Sequence, residues 1–165
     1  MRVRALAAIS VMTPLVAVMT MLIRVPIPAT QGYFNFGDSA VVLVGMLFGP
    51  YVGFVSGGLG SALADVLSNY TFYAPITFAA KGLEGFVVAV AFERLRKRSR
   101  LLSYSCGPIG GLFMISSYFV FEYVFFGLGG ALSELPFNVL QAVFGSAIAY
   151  ILYGLVHPML ARAAR

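Results

Sequence analysis

The stretch FNFGDSAVVLVGMLFGPYVGFVSGGLGSALAD, residues 34–65, decides the fold. It contains two apolar runs joined by Gly49-Pro50, with carboxylates at Asp38 and Asp65. Glycines recur every fourth residue along these runs, a spacing that gives a helix a face almost free of side chains and lets a neighbouring backbone approach closely. Because proline lacks the amide hydrogen that a continuing helix needs, the Gly-Pro step predicts a break. The sequence therefore predicts a helical hairpin with both carboxylates at the same membrane face.

Composition identifies the class of protein. Of 165 residues, 60% are hydrophobic and 10% are charged, whereas soluble domains carry roughly 25% charged residues. The formal net charge of +5 comes from basic clusters beside apolar runs, which indicate membrane topology rather than nucleic-acid binding. We therefore expect an all-α integral protein of the plasma membrane, with residues 1–165 forming one transmembrane substrate-binding domain.

About six transmembrane helices are expected. They are 5–23, the two short glycine-rich arms of the hairpin, 74–92, 101–128 and 136–160, with a loop at 129–135. The hairpin arms, at about 13–17 residues each, are at or below the usual spanning length, so they either cross a thin, tilted bundle or form a re-entrant pair. A cleaved signal peptide is the alternative interpretation of the first run.

The basic residues fall on one side of this arrangement. If the N-terminus is cytoplasmic, nine of the eleven Lys and Arg residues are cytoplasmic, Arg24 is outside and Lys81 lies within a span. The nine are Arg2, Arg4, Arg94, Arg96, Lys97, Arg98, Arg100, Arg162 and Arg165. The positive-inside rule therefore predicts that both termini are cytoplasmic.

Polar side chains interrupt the predicted spans at the outer level. Charges inside a membrane are costly and usually face a bundle interior or an aqueous cavity. With a helix rise of about 1.5 Å per residue, Lys81 and Glu122 lie roughly 10 Å and 9 Å from the outer ends of their spans. We therefore expect a cup that opens outward. The candidate substrate-binding residues are Asn35, Asp38, Tyr73, Lys81, Glu84, Tyr118, Glu122, Asn138 and Gln141.

Structural roles are an alternative for each of these residues. Lys81 and Glu84, three residues apart on one helix, could form a pair that only neutralises charge. Asp38 could cap a helix, and Glu122 could pair with Arg24 or Lys81. The aromatic residues at the same level could form an interfacial belt or stack on a flat ligand.

The sequence does not favour an enzyme. The only histidine, His157, is predicted to lie far from the acids, and Ser146 is too distant along the same helix for a nucleophile–base contact. Asp38 and Asp65 could share a proton as an aspartyl dyad, but the residues before Asp38 lack the first glycine of the intramembrane aspartyl protease motif. Since the sequence contains neither a phosphate-binding loop nor metal-ligand spacing, we expect no cofactor and no metal site.

Four motifs follow one another along the chain: NFGD at 35–38, FGP at 48–50, GGLGSALAD at 57–65 and KGLEG at 81–85. With these motifs, its size and its expected spans, the chain resembles the S components of energy-coupling factor (ECF) vitamin transporters over nearly its whole length. The motifs look like those of the branch that includes riboflavin-, hydroxymethylpyrimidine- and pyridoxine-type S components.

The resemblance implies a function and partners. The protein would bind a small heteroaromatic B-type vitamin or precursor from outside and dock on a membrane coupling subunit, the T component, which carries two ATPase subunits. It would then topple in the bilayer and release the vitamin inward. Docking in this family uses small residues of the first span, often in an Ala-x-x-x-Ala pattern, which does not occur here. The small residues in that position are Ala5, Ala7, Ala8 and Ser10.

A self-sufficient carrier or an oligomeric channel is the alternative function. A channel would line a continuous path with polar groups through both halves of the bilayer. The inner half of these predicted spans is nearly uncharged, which counts against a channel.

Overall fold

The computed structural model describes residues 2–28, 30 and 32–163. Arg165, one of the nine basic residues expected to be cytoplasmic, lies outside them. The described helices are α1 (Arg2–Leu22), α2 (Gly37–Phe48), α3 (Pro50–Leu67), α4 (Ala74–Arg96), α5 (Arg100–Ser103) and α6 (Cys106–Ala163). Two short strands, β1 (Arg24–Ile27) and β2 (Gly32–Asn35), precede α2. The stretches long and apolar enough to cross a membrane are Val3–Leu22, Ala74–Arg96 and Arg100–Met159, and α2 is a shorter apolar helix.

The predicted helical hairpin is present as α2 and α3, which meet at Gly49. Gly49 has φ +83°, a backbone conformation that glycine adopts without strain, and Pro50 opens α3 where its missing amide hydrogen is harmless. A Cβ atom at Gly53 would lie 2.7 Å from the Gly85 carbonyl oxygen of α4. The glycine-lined face therefore packs against a backbone, as its spacing predicts.

Helix α6 is two antiparallel arms, residues 106–126 and 128–163, on either side of Gly127. The arms pack closely, since a Cβ atom at Gly111 in the first arm would lie 2.7 Å from the Cβ of Ala142 in the second. The predicted loop at 129–135 is wrong, because those residues are helical. A single glycine at φ 69° and ψ −176° breaks the helix, so the chain needs no longer linker there.

The turn-rich segment after α1 forms a β-hairpin. Strands β1 and β2 pair antiparallel, with Arg24 opposite Asn35. Helix α2 then begins deep in the bundle, because the side chain of Asp38 contacts Lys81, seven residues into α4 and so about 10 Å below its start. The predicted placement of Asp38 at the outer end of a span is therefore wrong. The 12-residue α2 is too short to reach that level, and β2 covers the remaining depth.

The two ends of the bundle differ. At one end, which we call the strand end, lie β1, β2 and the start of α4. At the other, which we call the basic end, the α2–α3 turn lies beside Glu93, and Arg96 donates a hydrogen bond to Tyr153 at 3.0 Å. Between the ends is a buried apolar cluster: Val42, Leu43, Met46, Val88, Phe92, Cys106, Ala149 and Tyr153.

Candidate functional site

A buried polar cavity lies at the strand end. Its volume is about 30 Å³, which is room for only two or three water molecules at roughly 10–15 Å³ each. Its lining comes from α1, β2, α3, α4 and both arms of α6. These residues are Thr20, Gly32, Tyr33, Asn35, Ser61, Asp65, Tyr73, Thr77, Lys81, Tyr118, Glu122, Glu134, Asn138 and Gln141. The cavity is narrow in this conformation and must widen to hold a heteroaromatic ring.

An ion-pair network centred on Lys81 forms the floor of the cavity. Lys81 is 2% exposed, and its ammonium contacts the carboxylates of Asp38 and of Glu84, the latter at 3.3 Å. The Gln141 amide nitrogen donates to the same Asp38 oxygen, Oδ1, at 3.1 Å. Asp38 does not cap α2, since Phe36 occupies the N-cap position without a side-chain hydrogen bond. The network holds a buried cation between two carboxylates, which is the arrangement that makes such burial tolerable.

The β-hairpin forms the roof of the cavity and is bonded to its walls. Tyr33 donates to Asp65 Oδ1 at 2.6 Å, and the Asn35 backbone N–H donates to Gln141 Oε1 at 3.0 Å. Burial, followed by the nearby Asp65 carboxylate, raises the pKa of Tyr33, so its hydroxyl keeps the proton that it donates.

Thr30, in the connection between β1 and β2, fixes the roof at a second point. The Tyr73 hydroxyl donates to the Thr30 carbonyl oxygen at 2.9 Å. The Thr30 hydroxyl in turn donates to Glu134 Oε1. The roof is therefore joined by polar contacts to α3, to the residue before α4 and to α6.

Helix α4 and the first arm of α6 form one wall. The Tyr118 hydroxyl donates to Thr77 Oγ1 at 3.0 Å, and its ring lies 5.8 Å from the Lys81 ammonium, within the range of a cation–π contact. Glu122 lies one turn beyond Tyr118 and is 1% exposed. Glu122 makes no ion pair with Arg24 or Lys81 among the described residues, so the predicted alternative of such a pair is not supported.

Most aromatic residues at this level pack on one another. Phe72 contacts the rings of Tyr73, Phe121 and Phe125, with centroids 5.2–5.7 Å apart. Tyr33, Tyr73 and Tyr118 are the aromatic residues among those that line the cavity. A flat ligand would therefore meet three tyrosines rather than the whole aromatic group.

Seven of the nine predicted binding residues line the cavity: Asn35, Tyr73, Lys81, Tyr118, Glu122, Asn138 and Gln141. The other two, Asp38 and Glu84, hold the Lys81 ammonium from behind. The structure thus brings all nine to one place, and their part in binding stays a prediction.

Seven further lining residues are absent from the predicted set: Thr20, Gly32, Tyr33, Ser61, Asp65, Thr77 and Glu134. The signal for some of them is present in the sequence. Ser61 and Asp65 continue the four-residue spacing of the glycine face, and Thr77 lies one helical turn from both Tyr73 and Lys81. Glu134 gives no such signal, because it falls in the stretch that the sequence predicts as a loop.

The small residues of α1 point in two directions. Ala5 and Ala8 are half-buried and pack toward α2, while Ala7 and Ser10 are exposed. At the basic end, a groove of about 760 Å³ is lined by residues of α1 and of the α2–α3 turn. The lining residues are Arg4, Ala5, Leu6, Ala8, Leu47, Phe48, Pro50, Tyr51 and Val52.

The histidine and the aspartates weighed for catalysis lie at opposite ends of the bundle. His157 stacks on Tyr153 with centroids 4.9 Å apart, at the basic end and away from the acids. Among the described residues, no group of three or more His, Cys, Asp or Glu side chains is placed to hold a metal ion.

Comparison with known proteins gives relatives along nearly the whole chain. A Pyrococcus woesei protein, described as an uncharacterized protein in the gap 3′ region, is 43% identical over 149 residues, covering 88% of this chain and 99% of that protein. The thiamine precursor transporter HmpT of Lactococcus lactis subsp. cremoris (strain MG1363) is 24% identical over 155 residues, covering 93% of this chain and 88% of that transporter.

A solved structure and a family model point to the same kind of protein as these relatives. A solved structure of the S component of a bacterial ECF transporter matches with a TM-score of 0.72 at 19% identity, covering 97% of this chain and 99% of that one. The model of the family described as ECF-type riboflavin transporter, S component, matches residues 1–157. Members of this family are transport subunits and not enzymes. The chain therefore belongs to the ECF-type riboflavin transporter S component family.

Proposed function

We propose that this protein captures a small heteroaromatic B-type vitamin or vitamin precursor and delivers it inward as the S component of an ECF importer. The observation that carries the proposal is the narrow cavity at the strand end, which is lined by polar side chains inside an apolar helical bundle. Polar groups at such positions in membrane proteins usually serve a ligand or an ion pathway. The family name refers to riboflavin and one relative is named for a thiamine precursor, and both compounds are nitrogen heteroaromatics.

The ligand would occupy the cavity and replace the contacts of the roof. Lys81, Glu122, Asn138 and Gln141 offer donors and acceptors for ring nitrogens and hydroxyls, and the cavity-lining tyrosines offer flat surfaces. Because the cavity has room for only a few water molecules, a ligand can enter only if the β-hairpin moves away from Asp65, Glu134 and Gln141.

The proposed orientation has six crossings in the plasma membrane, with both termini cytoplasmic and the strand end outside. The uneven distribution of Lys and Arg supports it. Cysteine labelling in sealed cells tests it, in a Cys106→Ala background that removes the only native thiol. A cysteine placed at Lys97 should react with an impermeant reagent only after permeabilisation, and reaction in intact cells would contradict the orientation.

Delivery would depend on a T component and two ATPase subunits, since the sequence contains no phosphate-binding loop. We place the docking surface at the basic half of α1, where Ala7 and Ser10 are exposed and Ala5 and Ala8 border the groove beside the α2–α3 turn. Small side chains there would let a partner helix approach closely.

Native mass spectrometry of the gently purified protein tests ligand capture. We expect one bound vitamin or precursor, displaced or supplied by a panel of heteroaromatic vitamins. One variant, Gln141→Ala, removes a cavity contact and should weaken binding. Its control, Tyr123→Phe, changes an exposed tyrosine outside the cavity lining and should leave binding unchanged. A lipid or peptide in place of any heteroaromatic compound would contradict the proposal.

A further inference from the structure

The connection from α4 to α6 carries a dense group of exposed cations. Five of the eleven Lys and Arg residues of the chain fall within seven consecutive positions there, and each is exposed. They are Arg94, Arg96, Lys97, Arg98 and Arg100. One acid, Glu93, lies beside them in the sequence, so five cations less one carboxylate give the segment a local charge of +4. A surface of this charge attracts anions.

These cations are not neutralised from within the described part of the chain. Both ion pairs among the described residues involve Lys81, in the network at the strand end. The Oε1 atom of Glu93 lies beside the α2–α3 turn, 3.4 Å from where a Cβ atom on Gly49 would be. The positive charge of the segment is therefore available to a partner other than these residues.

Arg96 is held in a defined position at the basic end. Its Nη1 atom donates to the Tyr153 hydroxyl at 3.0 Å, and its guanidinium carbon lies 5.6 Å from the centre of the Phe92 ring. Tyr153 and Phe92 are both buried, so they anchor the guanidinium to the packed helices. Since a guanidinium offers several N–H donors in a planar fork, the donors not used by Tyr153 are preorganised for a phosphate.

An open groove of about 420 Å³ lies at this segment and is lined by Glu93, Arg96 and Lys97. A phosphate group in the groove would receive bidentate hydrogen bonds from Arg96 and a charge-assisted hydrogen bond from the Lys97 ammonium. The Glu93 carboxylate would repel such a group, but two of the three lining side chains are cationic. The groove therefore favours a phosphate that carries a net negative charge.

Two leucines next to the cations are exposed as well. Leu101 and Leu102 follow Arg100 on α5 and are 80% and 50% exposed. Because the segment joins two stretches that are long and apolar enough to cross a membrane, it lies where a span reaches the lipid headgroups. Exposed leucines beside Lys and Arg are typical of the boundary between headgroups and acyl chains. An acidic protein surface would pair with the cations alone, whereas an anionic lipid offers a partner to the leucines too.

From these observations we propose that residues 93–102 bind an anionic phospholipid of the leaflet at the basic end. Its phosphodiester would lie against Arg96 and Lys97, and its acyl chains would pass Leu101 and Leu102. Clusters of roughly 4–8 Lys and Arg next to a membrane span are typical of binding to anionic lipids. The inference goes beyond the proposed function, because it needs neither a vitamin nor a coupling module.

Native mass spectrometry of the full chain in detergent, at about physiological ionic strength, tests the lipid preference. Dioctanoyl phosphatidylglycerol is anionic and dioctanoyl phosphatidylcholine is zwitterionic, and the two have the same acyl chains. We expect phosphatidylglycerol to bind at least tenfold more tightly, and neither inorganic phosphate nor a polyglutamate peptide to displace it at equal concentration. Equal affinity for the two lipids would overturn the proposal. Displacement by phosphate would indicate a free-anion site and displacement by the peptide a protein-binding surface, and either would also overturn it.

Matched variants assign the preference to the segment. Arg96→Gln should weaken phosphatidylglycerol binding at least fivefold, while Arg24→Gln, the same change at an exposed arginine of the strand end, should not weaken it. Arg96→Lys keeps the charge and loses the planar fork, so it should also weaken binding. An equal loss in Arg24→Gln, or no loss in Arg96→Lys, would indicate a diffuse field and overturn the site. Thermal unfolding shows whether each variant folds, and Lys97→Gln replaces Arg96→Gln if the latter does not.

The leucines have a readout of their own. Dioctanoyl phosphatidylglycerol should bind more tightly than its dihexanoyl analogue, since it buries more apolar surface. Leu101→Ser combined with Leu102→Ser should reduce that difference, and an unchanged difference would contradict contact between the leucines and the acyl chains. Vitamin binding in the same samples should not depend on the lipid site, so a chain that binds no vitamin would overturn the proposed function and leave this inference in place.

Discussion

The strand end and the basic end use charge in opposite ways. At the strand end, five carboxyls and one lysine are buried around a small cavity. At the basic end, Arg94, Arg96, Lys97 and Arg98 are exposed, and a buried apolar cluster lies between the two ends. Buried charge at one end is typical of a ligand site, while exposed basic charge at the other is typical of a cytoplasmic surface.

Under the proposed function, this difference indicates that binding and release would not be two openings of one polar path. The apolar cluster of α2, α4 and α6 separates the cavity from the basic end, and moving a polar ligand through it would leave that ligand without partners. Release is therefore expected to need a change in the position of the whole subunit, which fits delivery on a coupling module better than a channel.

The largest loss of stability is expected from breaking the buried ion pairs of the strand end. Lys81→Met leaves the carboxylates of Asp38 and Glu84 without their cation, and removing one partner of a buried pair costs about 3–5 kcal/mol. Thermal unfolding in detergent should show a large loss of stability. Lys97→Met, at the exposed basic end, is the control and should change stability little.

Neutralising the partners sharpens the same test. Adding Asp38→Asn and Glu84→Gln to Lys81→Met should recover much of the stability, because no uncompensated charge remains in the network. If the recovered protein binds its ligand with unchanged affinity, Lys81, Asp38 and Glu84 serve the fold alone and the binding role proposed for them is wrong.

An intermediate effect is expected from crowding the contact between α3 and α4, toward the basic end. A Cβ atom at Gly53 would lie 2.7 Å from the Gly85 carbonyl oxygen, and overpacking of this kind costs about 1–3 kcal/mol. Gly53→Ala should therefore lower the unfolding temperature. Gly154→Ala, where an added Cβ meets nothing within 4 Å, should not, and equal behaviour of the two variants would contradict close backbone packing.

The smallest effect is expected from loosening the roof. Tyr33→Phe removes the hydrogen bond to Asp65, worth about 0.5–1.5 kcal/mol, without changing the helix packing. Hydrogen exchange of the paired β1 and β2 amides should become faster, while exchange in α4 stays the same. Unchanged exchange in the strands would mean that the Tyr33–Asp65 contact does not hold the roof.

The sequence predicted the helical hairpin and the group of polar residues because both depend on local rules. Gly49-Pro50 breaks a helix wherever it occurs, and a charge such as Lys81 in an apolar run must face the interior. These rules do not depend on how distant segments pair, so both features can be predicted from one segment at a time.

The parts that the sequence did not predict depend on pairing between segments. Asp38 lies at the level of Lys81 because α2 is short and β2 descends into the bundle, and no local pattern shows that descent. Glu134 falls in the predicted loop because Gly129 and Gly130 indicate a turn, whereas the turn needs only Gly127. Which of these glycines takes the positive φ that breaks the helix depends on how the two arms of α6 pack.

Uptake into proteoliposomes tests the central claim, capture at the strand end without a path through the protein. The purified subunit alone should bind the vitamin identified by native mass spectrometry and accumulate none of it. Reconstitution with a T component, its two ATPase subunits and ATP should give accumulation against a gradient. Accumulation or ion conductance by the subunit alone, without ATP, would contradict the account and favour a self-sufficient carrier or a channel.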